Sequence, residues 1–484
     1  MSTIQRDMSL TGQPPASINL IQKLGTALGV AGLLVLLLAV FNVNFPNKTL
    51  WLSLSLGGLF AGILIFSYGA YADKQEGIKN DAVWFKSISS RGFLAWVAGL
   101  GLTGFYILLY FRADLLGLNA DGANTGLIAL FDPLSNVLSG GPASQWFVYG
   151  TLYTIAILAF GIKFMWKYRH NRYERLRTIS VMFFQTAFAF LIPELMARLN
   201  SDEFSLPYYD LKNIWPLNYY NFEQYRVDDF ISAGDIGLAL LIFGIASIFI
   251  ITPILTYKYG KRWYCSWVCG CGGLAETAGD PFRHLSDKSE SAWKIERWVV
   301  HSVLVFGAIW LFKKEELKQD ARYGAIGYLV IVLALIGIHY ASGNTLFLIP
   351  AETLRTSYGF LIGSIFSGVI GTGFYPIFGN RVWCRFGCPM AAILGLQQRL
   401  FSKFRITTNG GQCISYCEMG IDVRAYAQKG ENIVRASCVG CGICSAVCPR
   451  GVLKLENAAT DNRINSREVL LGNDVNLMDY LNQK

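Results

Sequence analysis

CVGCGICSAVCP, residues Cys438 to Pro449, is the stretch that decides how the rest of this chain is interpreted. Its first three cysteines are spaced CxxCxxC, and a fourth stands directly before a proline. Two-residue gaps let consecutive sulfurs turn inward around one iron–sulfur cube, and Gly440 and Gly442 free the backbone for that turn. In bacterial ferredoxins the cysteine before the proline ligates the other cluster of a pair. The stretch therefore predicts [4Fe–4S] ligation, in preference to a zinc knuckle, by Cys438, Cys441 and Cys444.

The composition places this motif on a membrane protein. Of 484 residues, 53% are hydrophobic and only 15% are charged, which is too apolar for an ordinary soluble chain. All eleven cysteines lie at or after Cys265 in short motifs, so we expect metal ligands in a reducing compartment and no disulfide framework. The net charge of +9 comes from basic residues in short loops beside apolar runs. Membrane orientation explains that pattern, and we expect no nucleic-acid partner.

The apolar runs predict an all-α polytopic membrane protein of about eight transmembrane helices, with a small C-terminal ferredoxin-like module. Each run is long enough to cross a bilayer. The shorter run Trp298–Phe312 is expected to be re-entrant or interfacial, because an even number of crossings must separate two cysteine segments on the same side. The predicted spans are Leu24–Val43, Leu50–Tyr71, Gly92–Phe111, Trp146–Trp166, Thr178–Met196, Gly234–Tyr257, Tyr323–Tyr340 and Tyr358–Phe378.

The distribution of Lys and Arg predicts the orientation of these spans. The connections after the second and fourth spans are rich in basic residues and are expected in the cytoplasm, whereas Leu199–Ser232 carries only Lys212 and Arg226 and is expected outside. Both termini and all cysteine motifs then lie on the cytoplasmic side of a bacterial inner membrane. The predicted regions are a six-helix membrane region (1–257), a first cysteine loop (258–297), a second membrane region (298–380), the cluster module (381–455) and a tail (456–484).

A second cysteine motif occurs twice. Arg262–Cys269 reads RWYCSWVC and Arg381–Cys388 reads RVWCRFGC, each directly after the predicted cytoplasmic end of a span. Because the two spans can pack side by side, two thiolates from each copy can converge on one site. The alternative is that these small side chains only pack at helix ends. We predict a redox or metal role for Cys265, Cys269, Cys384 and Cys388, called here the membrane-exit cysteines.

From Arg262 to Leu455 the chain resembles the membrane polyferredoxins of the NapH/NosR/CcoG (FixG) type. Members of that family carry paired CxxxCP motifs after transmembrane helices, followed by a cytoplasmic ferredoxin-like tail. In the first motif here, Gly270 replaces the proline, and Cys271 adds a thiol. The family pattern CxxCxxCxxxCPxGID is shortened to CISYCEMGID, beginning at Cys413, so two cysteines and the proline are missing.

Ferredoxin topology completes the first cluster with a ligand from upstream of the CxxCxxC motif. The predicted set is Cys417, Cys438, Cys441 and Cys444. A second cluster would use Cys413 and Cys448 with two membrane-exit cysteines, or else the four membrane-exit cysteines form a site of their own. Both allocations predict two [4Fe–4S] clusters and leave Cys271 unassigned.

The sequence contains no nucleophile–base pair, phosphate loop or dinucleotide fingerprint above chance, so we identify no catalytic residues. This favours an electron carrier over a self-contained enzyme. The main hypothesis is a membrane-bound iron–sulfur protein that passes electrons between a quinone pool or cytoplasmic donor and a membrane or periplasmic acceptor. Its partners would be the lipid bilayer, redox proteins and quinone. The alternative, implied by the CcoG resemblance, is an accessory protein that matures a respiratory metalloenzyme, for example by reducing copper for an oxidase.

Overall fold

The structure is a computed structural model, and most of the described chain is helical. The described residues are 18–72, 86–119, 123–200, 209–214, 217, 224–306, 345–346, 349–350, 359–408, 417–448, 451–458, 470–471 and 475–476. Within these ranges, six helices are long and apolar enough to cross a membrane. They are Leu20–Val40, Lys48–Tyr71, Phe93–Phe111, Gln145–Lys167, Arg172–Arg198 and Gly234–Tyr259.

These six helices coincide with the first six predicted spans, and side-chain caps mark the start of four of them. Asn19 and Gln22 form a reciprocal capping box at the start of the first helix. The fifth helix begins at Arg172 rather than at the predicted Thr178. Its start is fixed by Asn171, whose side chain accepts hydrogen bonds from the next turn of backbone. Arg172, Arg175 and Arg177 are therefore helical and not part of a loop.

The last predicted spans are described only in part. Gly359–Ile370 is a helix with π-type hydrogen bonding, and Tyr375–Phe378 adds a further turn, both within the predicted eighth span. The helix Glu290–Phe306 contains the start of the short run that we expected not to cross, and it packs against Pro389–Phe401. Tyr323–Tyr340 lies outside the described residues. The total of about eight crossings therefore stays a prediction.

The C-terminal module is built on a two-stranded antiparallel sheet in which Phe404–Thr408 pairs with Leu453–Asn457. Alternate residues of the first strand face inward, and Ile406 also bridges to Ile433. The helices Val423–Lys429 and Ile443–Ala446 lie between the strands in sequence. The CxxCxxC loop is thus held between the sheet and the membrane helices.

The remaining elements of the described chain are short. The helices are Lys86–Ser89, Gly126–Leu138, Gln224–Ser232, Arg262–Cys265, Gly270–Thr277 and Trp383–Gly387, and the 3₁₀ turns are Ala113–Leu116 and Asp280–Leu285. The remaining strands form two isolated pairs, Thr345–Leu346 with Ile349–Pro350 and Leu470–Leu471 with Val475–Asn476. Gly270–Thr277 matters most for the site, since it packs against both the fourth and fifth long helices.

Candidate metal centre

Ten cysteines lie in the described part of the chain, and one hydrophobic core contains them all. Seven are buried members of this core, and Cys271, Cys417 and Cys441 are half-buried against it. All ten are free thiols. Cys413 lies outside the described residues. The core joins the two copies of the repeated motif to the C-terminal module.

The four predicted ligands of the first cluster line one small cavity, between Ile406, Ile421 and Ile433. The ligand set predicted from ferredoxin topology is therefore brought together in space. Gly440 and Gly442 have φ angles of 62° and 89°, a backbone conformation that residues with a Cβ rarely adopt. These two glycines allow the loop to present its cysteines to the cavity.

The surroundings of these thiols suit iron–sulfur ligation. Backbone groups of Met419 and Ile421 hydrogen-bond to the sulfur of Cys417, and Gly440 does the same for Cys438. Burial raises the pKa of the Cys417 thiol to about 11, so metal binding must displace its proton. Four sulfurs on one cavity, with amide donors to the sulfurs, match the requirements of a [4Fe–4S] cluster. The residues present fit this cofactor.

The membrane-exit cysteines form a second group. Burial raises the pKa of Cys388, and the nearby Cys384, Cys265 and Cys269 raise it further. Burial likewise raises the pKa of Cys265 to about 12, with added contributions from Cys269 and Cys384. The two copies of the motif therefore converge, as the sequence predicts.

Cys271, which neither predicted ligand allocation includes, belongs to the same group. It hydrogen-bonds to Cys269, and this bond lowers the pKa of Cys269 to about 6 while it raises the pKa of Cys271. The direction is that expected when one thiol donates its proton to a neighbouring thiolate. The first copy of the motif thus contributes three sulfurs and the second copy two.

The first motif has Gly270 at the position where the second motif has Pro389, and the reason is steric. In the second copy, Cys388 caps the helix Pro389–Phe401 and its sulfur accepts a hydrogen bond from the backbone N–H of Ala391 at 3.4 Å. Pro389 occupies the first helical position, where proline is well tolerated. In the first copy Gly270 takes that place, and a Cβ there would lie 2.5 Å from Gln185 Oε1 and 2.7 Å from Lys212 Nζ. A larger residue would displace this polar pair.

The two groups of cysteines are joined by hydrogen bonds. Ser266, which follows Cys265, donates from Oγ to the carbonyl oxygen of Val439 at 2.7 Å. Gln398 donates to the carbonyl oxygen of Cys438 at 2.9 Å and accepts from the backbone N–H of Lys261 at 2.9 Å. The loop of the first motif and the CxxCxxC loop are therefore in direct contact.

A buried network of charged side chains lies beside both groups of cysteines. Motif spacing did not predict this network. Arg381 donates to Glu418 Oε1 at 3.0 Å and to Cys384 Sγ at 3.5 Å, and it also pairs with Glu276. One oxygen of Glu276, one of Glu418 and the sulfur of Cys441 lie within 4.8 Å of one another. One network therefore contacts both Cys384 of the membrane-exit cysteines and Cys441 of the CxxCxxC loop.

The network continues to the C-terminal end of the fourth long helix and the N-terminal end of the fifth. Lys167 donates to Asp280 Oδ2 at 2.8 Å, and Arg283 donates to Asp280 Oδ1 at 2.8 Å. Burial alone would raise the pKa of Glu418, but Arg283 and Arg381 hold it below its usual value. In the described chain, five cations meet four carboxylates here: Lys163, Lys167, Arg177, Arg283 and Arg381 with Glu174, Glu276, Asp280 and Glu418. Burial raises the pKa of Cys441 and of Cys384 and Glu418 adds to this rise, whereas Arg283 opposes it at Cys441 and Arg381 opposes it at Cys384.

Part of the segment predicted to lie outside reaches the cysteines. Tyr264, directly before Cys265, donates from its hydroxyl to the carbonyl oxygen of Lys212 at 3.1 Å. Ile214 and Leu217 pack against the cysteine core. Residues 209–214 and 217 therefore lie against the cysteine core, and the side of the membrane on which Leu199–Ser232 lies stays a prediction. A loop of few basic residues can turn back among helices when its lysine finds buried partners, which a charge count does not detect.

Comparison with known proteins supports the assignment of the cofactor. A family model described as a 4Fe-4S binding domain matches residues 240–289 and 359–407, and a second model with the same description matches residues 432–454. The first model thus covers both copies of the repeated motif. The chain carries [4Fe–4S]-binding domains, one of them in the C-terminal module.

A distant relative points in the same direction. The chain is 22% identical over 194 residues to a protein of Escherichia coli (strain K12) named "Putative electron transport protein YccM". The similarity covers 39% of this chain and 49% of the relative, so the chain spans about half the length of that relative. No solved structure matches the chain. These findings support an iron–sulfur protein of the electron-transfer class in general, and the NapH/NosR/CcoG resemblance stays a prediction.

Proposed function

We propose that this chain is a membrane-bound electron-transfer protein that passes electrons between a quinone pool or a cytoplasmic donor and a membrane or periplasmic acceptor. One observation supports this most strongly. Two groups of cysteines share a buried core, and their loops are hydrogen-bonded through Ser266 and Val439. Carriers that lie this close can exchange electrons without a mobile intermediate. The electron transport name of the distant relative agrees with this role.

We assign one [4Fe–4S] cluster to each group. The tail cluster takes Cys417, Cys438, Cys441 and Cys444, and the second takes the membrane-exit cysteines. The membrane-exit thiols lie close to one another, which favours this allocation. In the alternative, two of them would join Cys413 and Cys448 as ligands of the second cluster. Iron–sulfur clusters, when bound, supply one-electron chemistry.

The protein's own contribution is electrostatic. Burial raises the pKa of Cys265 and of Cys438, and Lys261 opposes that rise in both, so it faces both groups. Arg381 opposes the rise in the pKa of Cys384 in the same way. Lys212 acts in the same direction on Cys269. These cations, together with the backbone donors, stabilise negative charge on the sulfurs and on any group bound by them. Burial of the core excludes water from the site.

The first prediction concerns iron content. Protein purified and reconstituted without oxygen should bind about eight irons per chain, because each of two four-cysteine sites holds a four-iron cluster. Iron and acid-labile sulfide analysis measures this directly. About four irons would mean that the membrane-exit cysteines do not bind a cluster.

The second prediction concerns orientation. We propose that both termini and the cysteine motifs lie on the cytoplasmic side of a bacterial inner membrane, as the basic connections indicate. A reporter that is active only in the cytoplasm should be active when fused after Lys484. As the control, a second reporter enzyme that is active only in the periplasm is fused after Lys484, and it should be inactive. Activity of the periplasmic fusion alone would reverse the proposed orientation.

A further inference from the structure

A cavity of about 660 Å³ lies within the membrane region, between the fourth and fifth long helices and Gly359–Ile370. Trp146 and Glu194 line it near the ends of two long helices, and Cys271 and Trp383 line it beside the membrane-exit cysteines. Its volume is that of sites for small organic ligands. The cavity therefore extends from the helix ends to the redox centre proposed above.

The wall of the cavity is rich in aromatic rings. Tyr110 and Trp146 pack edge to face with ring centroids 5.1 Å apart, and Tyr149 and Tyr153 pack with centroids 5.3 Å apart. Rings arranged in this way offer both faces and edges to a planar guest. An acyl chain needs no such wall, whereas a flat conjugated ring is well matched by it.

Polar groups occur where the cavity approaches the cysteines. Lys212 is buried and donates from Nζ to Gln185 Oε1 at 2.9 Å, while Gln185 donates from Nε2 to Thr154 Oγ1 at 3.2 Å. An ammonium group has three N–H donors, so the bond to Gln185 uses only one of them. A buried ammonium group is costly unless it is hydrogen-bonded, and this one lines the cavity. This end of the cavity can therefore donate hydrogen bonds to a carbonyl oxygen.

We propose that this cavity binds the ring of a quinone, with a ring carbonyl directed to Lys212 and the ring between the tyrosines. The inference rests on the proposed electron-transfer function and identifies where one of its redox partners binds. Oxidation of a quinol to a quinone releases two electrons and two protons. A one-electron centre held by the membrane-exit cysteines would take these electrons one at a time, passing the first to the tail site before it accepts the second. On the polar side of the cavity, Asp210 and Glu194 supply carboxylates that would take up the protons.

Photolabelling tests this proposal without reliance on turnover. We expect a photoreactive azidoquinone to label the purified full-length protein on peptides that contain residues 145–153 or 185–194. Excess decylubiquinone or a short-chain menaquinone should prevent the labelling. Labelling that spreads over lipid-exposed helices, or that competing quinone does not reduce, would overturn the proposal and indicate general partition into the detergent micelle.

A matched pair of variants locates the site. Ala189→Trp places an indole in the cavity and should weaken quinone competition about tenfold. Leu195→Trp lies on the same helix with a side chain that is 45% exposed, and it should behave as the wild type. Lys212→Met keeps the length of the side chain and removes the proposed donor to the ring carbonyl, so it should also weaken competition and tests the polar contact if the larger change disturbs folding. Equal competition in all these variants would contradict a site in this cavity.

The EPR spectrum of the dithionite-reduced preparation separates this inference from the proposed function. If the wild type gives iron–sulfur signals but no competed labelling, the quinone site is refuted and the iron–sulfur function stands. If competed labelling occurs at these peptides but iron–sulfur signals are absent after reconstitution, the binding site stands and the electron-transfer function fails.

Discussion

Serine at position 441 is expected to abolish the EPR signal of the tail cluster. Cys441 lines the same small cavity as Cys417, Cys438 and Cys444, so its sulfur belongs to the predicted set of four. A serine hydroxyl is a hard and weakly acidic ligand that substitutes poorly for a soft thiolate. The measurement is EPR of the reduced protein, together with iron content, which should fall by about four per chain.

Ser445→Ala is the matched control for this change. Ser445 lies in the same loop, but its hydroxyl donates to the carbonyl oxygen of Leu453 at 2.7 Å. Loss of that bond should cost only about 1 kcal/mol and should leave the signal in place. An unchanged tail signal in Cys441→Ser would show that another residue supplies the fourth ligand.

Glu418→Gln should destabilise the protein by about 3–5 kcal/mol, the usual cost of breaking a buried ion pair from one side. Glu418 is fully buried and pairs with both Arg283 and Arg381. The substitution keeps the volume but leaves two buried guanidinium groups without their shared carboxylate. Chemical or thermal unfolding in detergent measures the loss, provided that iron content is measured in the same samples.

An exposed ion pair provides the control for Glu418→Gln. Glu290 pairs with Lys294 at 2.8 Å one helical turn away, and their side chains are 48% and 62% exposed. Water and salt screen such a pair, so Glu290→Gln should change stability by no more than about 0.5 kcal/mol. Comparable losses in the two variants would mean that burial does not set the strength of the Glu418 network.

Sequence periodicity and motif spacing predicted much of this architecture because they depend on local chemistry. The first six spans follow from length and hydropathy alone, and all six are present as long helices. The convergence of Cys417 with the CxxCxxC loop follows from ferredoxin topology, in which a short module determines which sulfurs can meet. The fifth helix was predicted too short, since Arg172 and Arg177 were assigned to a connection.

The sequence did not reveal the buried ion pairs and hydrogen bonds that join distant segments. Glu276, Glu418 and Arg381 stand far apart in the chain, and each alone looks like an ordinary charge beside a cysteine motif. Their positions beside cysteines could have indicated the network, since Glu418 directly follows Cys417 and Arg381 precedes Cys384 by one helical turn. Lys212 illustrates the same difficulty, because its buried partner Gln185 lies in a different element, the fifth predicted span.

We propose that the two cysteine groups are distinct sites on one electron path. The direct test is Cys384→Ser in isolated membranes, with EPR and electron delivery to an added acceptor measured on the same sample. We predict a normal tail signal, because Cys384 belongs to the membrane-exit group. We also predict loss of electron delivery, because a chain of carriers fails when one link is missing. Normal delivery together with a normal tail signal would contradict the account and reduce the second motif to a structural role.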